Sequence, residues 1–388
     1  MRAIILAAGE GIRMRPLTAS MPKVMLPVGN RPILAYVVEA LAKNDIRDIT
    51  MVVGYHREKV QQYFGSGKEF GVHIRYVFQD KQLGTAHALY CAKTTGDFLL
   101  LFGDNIVDAE NIAVLKNTEK NTILAAYRPK PNRYGALKVR GNRVLDLSEK
   151  PELGDKTLVF TGMGHFGEEL FEAIESVFES EEYRLTPALN KLDLKYVLLK
   201  SGWQDATYPL ELLNINSMAL ERITRTVAGK IESSATIIGN VEIGEHSIIE
   251  SGAYIRGNVK IGNNCVIGAN SVILGDTSIG NGVRIGPMTH IKNSIVMEST
   301  ALGAGSIVED SVIGRDVVIG PRLTVISGIA HKIVNAHVVE QEGGVVIGDS
   351  ANIGAVVIIR AGVSIGANAN VADLKVISED IRDGESVR

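Results

Sequence analysis

Cysteine, aromatic side chains, long apolar runs and net charge are all scarce in this chain. Its 388 residues hold only 2 cysteines, Cys91 and Cys265, far apart in sequence. That excludes a disulfide framework and favours a reducing cytoplasm. Aromatics make up 5%, too few for the stacking platforms of single-strand binders. A net charge of −3, with 22% charged residues, gives no global field favouring nucleic acid or an anionic membrane. No stretch approaches the roughly 18 apolar residues that span a bilayer. The apolar N-terminus stops at Gly9, with no cleavage-like end before Arg13. The length suits two domains, each able to bury a core.

What is present is concentrated first in residues 6–27. An apolar strand, Ala3 to Ala8, runs into a glycine turn at Gly9–Gly11, and Arg13, Arg15 and Lys23 follow. Glycine lets backbone N–H groups approach an anion closely, and three nearby cations make that anion polyphosphate-like. A dinucleotide fingerprint needs a third glycine where Met14 stands, and a P-loop needs Gly-Lys-Ser/Thr where Gly11 is followed by Ile-Arg-Met. Both are excluded.

The two halves of the chain follow different rules. In the first, strand-like runs (Ala3–Ala8, Ile49–Val53, Ile74–Val77, Phe98–Phe102, Thr122–Ala126, Val197–Leu199) alternate with helix-like segments (Leu34–Lys43, Glu58–Phe64, Thr85–Ala92). This alternation predicts an α/β, Rossmann-like domain with a mostly parallel sheet, whose ligands gather beyond the strands' carboxyl ends. In the second, isoleucine recurs every six residues from Ile237 to Ile291. The pattern returns at Ile307, Ile313, Ile319 and Val325, and from Ile347 to Val371, with residues 326–346 expected to loop out. Period six predicts a parallel β-helix of hexapeptide repeats. The boundary is expected at 228/229, after a connecting helix that begins near Leu210 and ends near Gly229.

The segment Leu-Ala-Ala-Gly-Glu-Gly-Ile-Arg-Met-Arg-Pro-Leu-Thr, followed by Pro-Lys and Met-Leu-Pro, resembles the signature of the sugar-1-phosphate nucleotidylyltransferases. Ile12 departs from the usual Thr, removing a hydroxyl beside the phosphates. The resemblance extends to a C-terminal left-handed β-helix, as in archaeal two-domain members. It implies that Leu6, Ala8, Gly9, Gly11, Gln79, Gly84 and Thr85 bind the nucleotide, with Gln79 reading a pyrimidine edge. Arg13, Lys23 and Lys150 would be catalytic. Tyr134, Gly135, Glu149, Lys150, Thr161 and Gly162 would bind the sugar phosphate. Asp104 and Asp205 would hold Mg²⁺, which takes one or two carboxylates and leaves other positions to phosphates and water.

The implied reaction is in-line attack of a hexose-1-phosphate, glucose-1-phosphate first, on the α-phosphorus of dTTP or UTP, releasing pyrophosphate. Phe160, where acetamido-sugar enzymes often carry Asn, weakens an acetamido substrate. The alternative adds acetyl transfer from acetyl-CoA on the β-helix. Lys292-Asn293-Ser294 fits that pattern, but Ala304 and Ile307 stand where its histidine and tyrosine belong. His290, His331 and His337 are the remaining candidate bases. A nucleotide-sugar sensor without turnover is a third reading, disfavoured by the retained Arg13, Lys23, Asp104 and Asp205. The β-helix implies a homo-oligomer, a trimer or a multiple of one.

Overall fold

The computed structural model describes residues 1–128, 134–149, 157–334 and 337–388. They pack into two compact units that are not contiguous in sequence. The first comprises Met1–Glu10, Pro22–Met25 and Ile33–Gln204; the second comprises Gly11–Met21, Leu26–Pro32 and Asp205–Arg388.

The first unit is built on one nine-stranded sheet. Its strands are β1 (Arg2–Ala7), β2 (Asp48–Val53), β3 (His73–Phe78), β4 (Phe98–Phe102), β5 (Thr122–Arg128), β6 (Gly135–Arg140), β7 (Arg143–Glu149), β8 (Thr157–Phe166) and β9 (Lys195–Leu198). The spatial order is β3-β2-β1-β4-β8-β5-β9-β7-β6. Strands β3, β2, β1 and β4 are parallel, as is the pair β5 and β9; β8 and β7 run antiparallel to their neighbours.

Helices α1 (Ile33–Ala42), α2 (Arg57–Phe64), α3 (Thr85–Cys91), α4 (Ala109–Lys116), α5 (Glu169–Phe178) and α6 (Leu185–Leu189) complete it. The expected strands and helices of this half are present within a residue or two at their ends. Strands β6, β7 and β8 were not anticipated. In the first two, charged residues interrupt the apolar run, and register is set by cross-strand pairing rather than by local pattern. One core of Ile4, Leu6, Val52, Leu100, Ile123, Phe166 and Phe171 locks α3, α5 and α6 to a sheet face.

In the second unit, three parallel sheets of 8, 9 and 8 strands stack coil upon coil, forming the expected left-handed β-helix. Ile237 pairs with Ile255 and Ile255 with Ile273, one coil apart. Their side chains join Ile291, Ile319, Ile353 and Ile365 in a continuous interior. Each such buried side chain contributes roughly 1.5–3 kcal/mol relative to exposure.

The period slips by one residue twice. Ile279 pairs with Val296, and Val296 with Ile313. Val308 therefore faces the interior at 0% exposure, whereas Ile307, expected inside, is 43% exposed. Helix α7 (Leu212–Leu220) is shorter than the connecting helix expected to reach Gly229, because strand pairing resumes at Thr226–Val227. The expected loop over 326–346 contains an antiparallel hairpin, Gly328–Val334 against His337–Gly343.

Candidate active site

Parallel β1, β3 and β4 bring three sequence-predicted elements to one end of the first unit's sheet. The turn at Gly9 follows β1, Gln79 follows β3, and Asp104 follows β4. A Cβ added at Gly9 would meet nothing within 4 Å, so the backbone there is open to a ligand. Leu6 and Ala8 are buried beneath it.

Lys23 Nζ lies 2.5 Å from Asp104 Oδ2, the two side chains being 15% and 30% exposed. Asn105, 3% exposed, spans from the Phe102 carbonyl to the Thr161 carbonyl and fixes the Asp104 turn against β8. Its role was not anticipated; its position beside Gly-Asp was the available signal. Asp104 is a hard oxygen donor at a strand end, with one oxygen held by Lys23, so its chemistry fits Mg²⁺. No cluster of three or more potential metal-ligating side chains occurs among the described residues.

Gln79 is 3% exposed, and its Nε2 donates to the Gly84 carbonyl at 3.0 Å while lying 3.0 Å from His87 Nδ1. The amide nitrogen is thus committed within the protein. Thr85 does not cap its own helix. Its Oγ1 accepts from Leu185 N at 3.0 Å and ties α3 to α6.

The sugar-phosphate candidates divide similarly. Thr161 is 2% exposed, and its hydroxyl donates to the Leu124 carbonyl at 2.9 Å. Gly162 has φ of +79°, and a Cβ there would sit 2.6 Å from the Phe102 ring. Both hold the sheet at the irregularity between Phe160 and Gly164 in the β8–β5 register. Tyr134 packs its ring 5.9 Å from Trp203, which carries the Arg128 guanidinium 4.5 Å from its own ring centre. Gly135 and Glu149 are opposed in the β6–β7 hairpin. Lys150 lies outside the described residues.

The remaining candidates belong to the second unit. Gly11 takes the left-handed conformation, φ +72°, at the start of a short turn over Ile12–Met14. Thr18 Oγ1 donates to the Gly11 carbonyl at 2.9 Å, closing the loop that presents Arg13. Arg13 is exposed and Ile12 is 65% exposed. Asp205 ends the strand Trp203–Asp205. The loop ahead of that strand, in the first unit, is pinned by fully buried Asn111, whose amide bonds the backbone of Lys200, Ser201 and Gly202. Asn111 also escaped the sequence reading, because nothing local marks a polar residue on α4 as buried.

On the β-helix, His290 Nε2 lies 3.0 Å from Glu309 Oε1. His331 is exposed, 3.9 Å from Glu340, and the side chain of His337 lies outside the described residues.

Residues 2–221 match the family model described as nucleotidyl transferase. Residues 255–342 match the GMPPB C-terminal domain, and residues 344–372 the hexapeptide repeat of succinyl-transferase. The bifunctional protein GlmU of Methanococcus maripaludis strain C5 is 36% identical, covering 98% of this chain and 95% of its own. The low-salt glycan biosynthesis nucleotidyltransferase Agl11 of Haloferax volcanii is 34% identical, covering 82% of this chain and 94% of its own. A Bacillus anthracis crystal structure of a candidate glucose-1-phosphate thymidylyltransferase, in complex with a sucrose, superposes with a TM-score of 0.52 at 28% identity. It covers 58% of this chain and 98% of that one.

Proposed function

The chain belongs to the nucleotidyl transferase family and carries a hexapeptide-repeat β-helix C-terminal to the catalytic fold in sequence, and from that premise we propose the following reaction. A nucleotidyl group passes from dTTP or UTP to a hexose-1-phosphate, glucose-1-phosphate first, with release of pyrophosphate. The enzyme is a sugar-1-phosphate nucleotidyltransferase; the base and sugar are the proposed part. The observation that carries the proposal is the Lys23–Asp104 pair at the carboxyl end of β4.

The sugar phosphate is already ionised and needs no protein nucleophile. One of its oxygens bonds to the α-phosphorus while the α–β bridging P–O bond breaks, and pyrophosphate leaves with that electron pair. The protein's work is positioning and charge stabilisation. Arg13 supplies a rigid donor fork for the phosphates, and Lys23 a mobile charge that Asp104 orients. Lys150 neutralises the attacking phosphate, and Glu149 accepts from sugar hydroxyls. Gln79 Oε1 accepts from the base edge. Asp104 and Asp205 are the proposed holders of Mg²⁺, which would neutralise phosphate charge when bound.

The proposed functional division is a catalytic domain over residues 1–228 and a repeat domain over 229–388. The repeat domain is the proposed seat of a homotrimer. The proposed setting is the reducing cytoplasm, in keeping with two unbridged cysteines. No helix among the described residues is long and apolar enough to cross a membrane.

Four nucleoside triphosphates assayed against several sugar-1-phosphates with Mg²⁺ test the reading. Pyrophosphate release with a pyrimidine triphosphate is expected. Its absence with every pair would overturn the proposal.

A second reading adds acetyl transfer from acetyl-CoA to an amino sugar phosphate. The His290–Glu309 pair favours it, since a carboxylate at 3.0 Å orients an imidazole for proton abstraction. Ala304 and Ile307 argue against it. Thiol release from acetyl-CoA with glucosamine-1-phosphate, lost in His290→Ala, would establish it; no thiol release removes it.

A further inference from the structure

Two segments of the N-terminal signature pack with the β-helix rather than with the sheet from which they emerge, Gly11–Met21 and Leu26–Pro32. The first carries Arg13 and Arg15. Its far end is clasped at Ser20. Arg315 Nη2 donates to Ser20 Oγ at 2.8 Å and to Asp349 Oδ2 at 2.6 Å, while Ser20 Oγ donates to the same Oδ2 at 2.7 Å. The Arg315 and Asp349 side chains are only 14% and 13% exposed. Beside them Pro16 presses on the coil at Gly348, where an added Cβ would lie 2.8 Å from Pro16 Cβ.

The second segment has its own anchor. Asn216, fully buried, accepts from Gly29 N and Ser278 Oγ, each at 2.8 Å, and donates to the Asp276 carbonyl at 2.9 Å. Asn30 Nδ2 donates to the Ile279 carbonyl at 2.7 Å.

Asp349 does two separable things. Its Oδ1 accepts from Arg315 N at 2.9 Å. The same corner bond recurs in other coils, where Asn263, Asn281, Asp373 and Asp383 accept through Oδ1 from Glu245 N, Asn263 N, Ala355 N and Ala367 N. Two of those four acceptors are asparagines, so the repeat needs the Oδ1 oxygen and not the charge. The second oxygen, Oδ2, is spent on Arg315 and Ser20. A poorly exposed ion pair closed on a hydroxyl has demanding geometry, and losing one member leaves the other charge uncompensated. Its hold on Ser20 removes freedom that the Arg13 loop would otherwise have to lose on binding its ligand.

We propose that Arg315 and Asp349 are positioning residues for nucleotidyl transfer: from the β-helix they clasp Ser20 and hold the Gly11–Met21 loop so that Arg13 meets the triphosphate. The proposal rests on the function proposed above. It makes the β-helix part of the catalytic apparatus of this chain, and not only an assembly device.

The test uses the full-length chain and four variants, Asp349→Asn, Arg315→Ala, Ser20→Ala and Ser20→Thr. Asp349→Asn keeps the corner bond but sets an amide N–H against the guanidinium, and Ser20→Thr keeps the hydroxyl. Thermal midpoint, amide hydrogen exchange over residues 12–21, and steady-state pyrophosphate release are measured. Asp349→Asn and Ser20→Ala are expected to keep the β-helix amides protected while loop exchange accelerates about tenfold or more. KM for the nucleoside triphosphate is expected to rise and kcat to fall, together lowering kcat/KM by about 10²-fold, the order expected for a misplaced catalytic group. KM for the sugar-1-phosphate should stay put, and Ser20→Thr should behave as the parent.

Parent-like loop exchange and parent-like KM in both Asp349→Asn and Ser20→Ala would overturn the proposal. If Arg315→Ala lowers the thermal midpoint, the two milder variants still decide. If the parent itself releases no pyrophosphate with any substrate pair, the function reading fails, and loop exchange separately reports whether the clasp holds.

Discussion

Lys23 Nζ and Asp104 Oδ2 lie 2.5 Å apart at the carboxyl end of β4, a cation and a carboxylate far apart in sequence. Asp104→Asn should lower Mg²⁺-dependent pyrophosphate release by at least about 10²-fold, the scale set by losing one stabilising group at a transferring phosphate. The pair is partly exposed, so stability should fall by only about 1 kcal/mol. Rate measurements across a Mg²⁺ titration, with a parallel urea melt, check both. An unchanged Mg²⁺ response would remove Asp104 from the site.

Gln79 carries one observed duty and one proposed duty, and its variant should reveal both. Gln79→Ala removes one donor from the part-buried Gly84 carbonyl, which still accepts from Ala88 N, so the lost bond should cost only about 0.5–1.5 kcal/mol of stability. It also removes the oxygen proposed for the base edge, so KM for the pyrimidine triphosphate should rise about tenfold. Kinetics at a temperature well below the variant's midpoint separate the two.

Gly162 is fixed as glycine by local geometry. Its φ of +79° and the Phe102 ring 2.6 Å from a notional Cβ both exclude a side chain. Gly162→Ala should destabilise the first unit by about 1–3 kcal/mol. Chemical denaturation followed through Trp203 fluorescence reads it directly.

Cys265 is fully buried, and its Sγ donates to the Gly280 carbonyl at 3.0 Å. Burial pushes its thiol up from the ordinary value, so the reactive thiolate is scarce. Iodoacetamide at pH 8 should leave Cys265 unmodified in the native chain and modify it after denaturation. Peptide mass spectrometry distinguishes the two states.

Tyr76 donates its hydroxyl to the Gly65 carbonyl at 2.7 Å, and burial pushes its pKa from 10.0 up to about 12. The folded state thus favours the neutral phenol. That contribution is fully present below pH 10, the unfolded value, and is lost as pH rises through 12, the folded one. The stability of the parent should therefore fall more steeply than that of Tyr76→Phe over this window. Denaturant midpoints at several alkaline pH values test it; parallel profiles would contradict it.

Much of this molecule could be read from local pattern. The period-six isoleucines, the Gly9–Gly11 turn and the Gly-Asp at Asp104 each reflect a constraint satisfied within a few residues, by a coil corner, a backbone approach or a strand end. The sequence by itself therefore determined the two architectures, the family and the reaction class.

Tertiary structure decided where neighbours came from far along the chain. A one-residue slip in two coils turned Val308 inward and Ile307 outward, because stacking registers each strand on the coil beneath it. Thr161 and Thr85, read as ligand groups, spend hydroxyls on the Leu124 carbonyl and the Leu185 N–H, since buried or bridging polar atoms must be satisfied. Ser20, Arg315 and Asp349 form one clasp across three separate stretches of sequence. No local periodicity encodes such a meeting; it exists only once the coil and the loop are both folded.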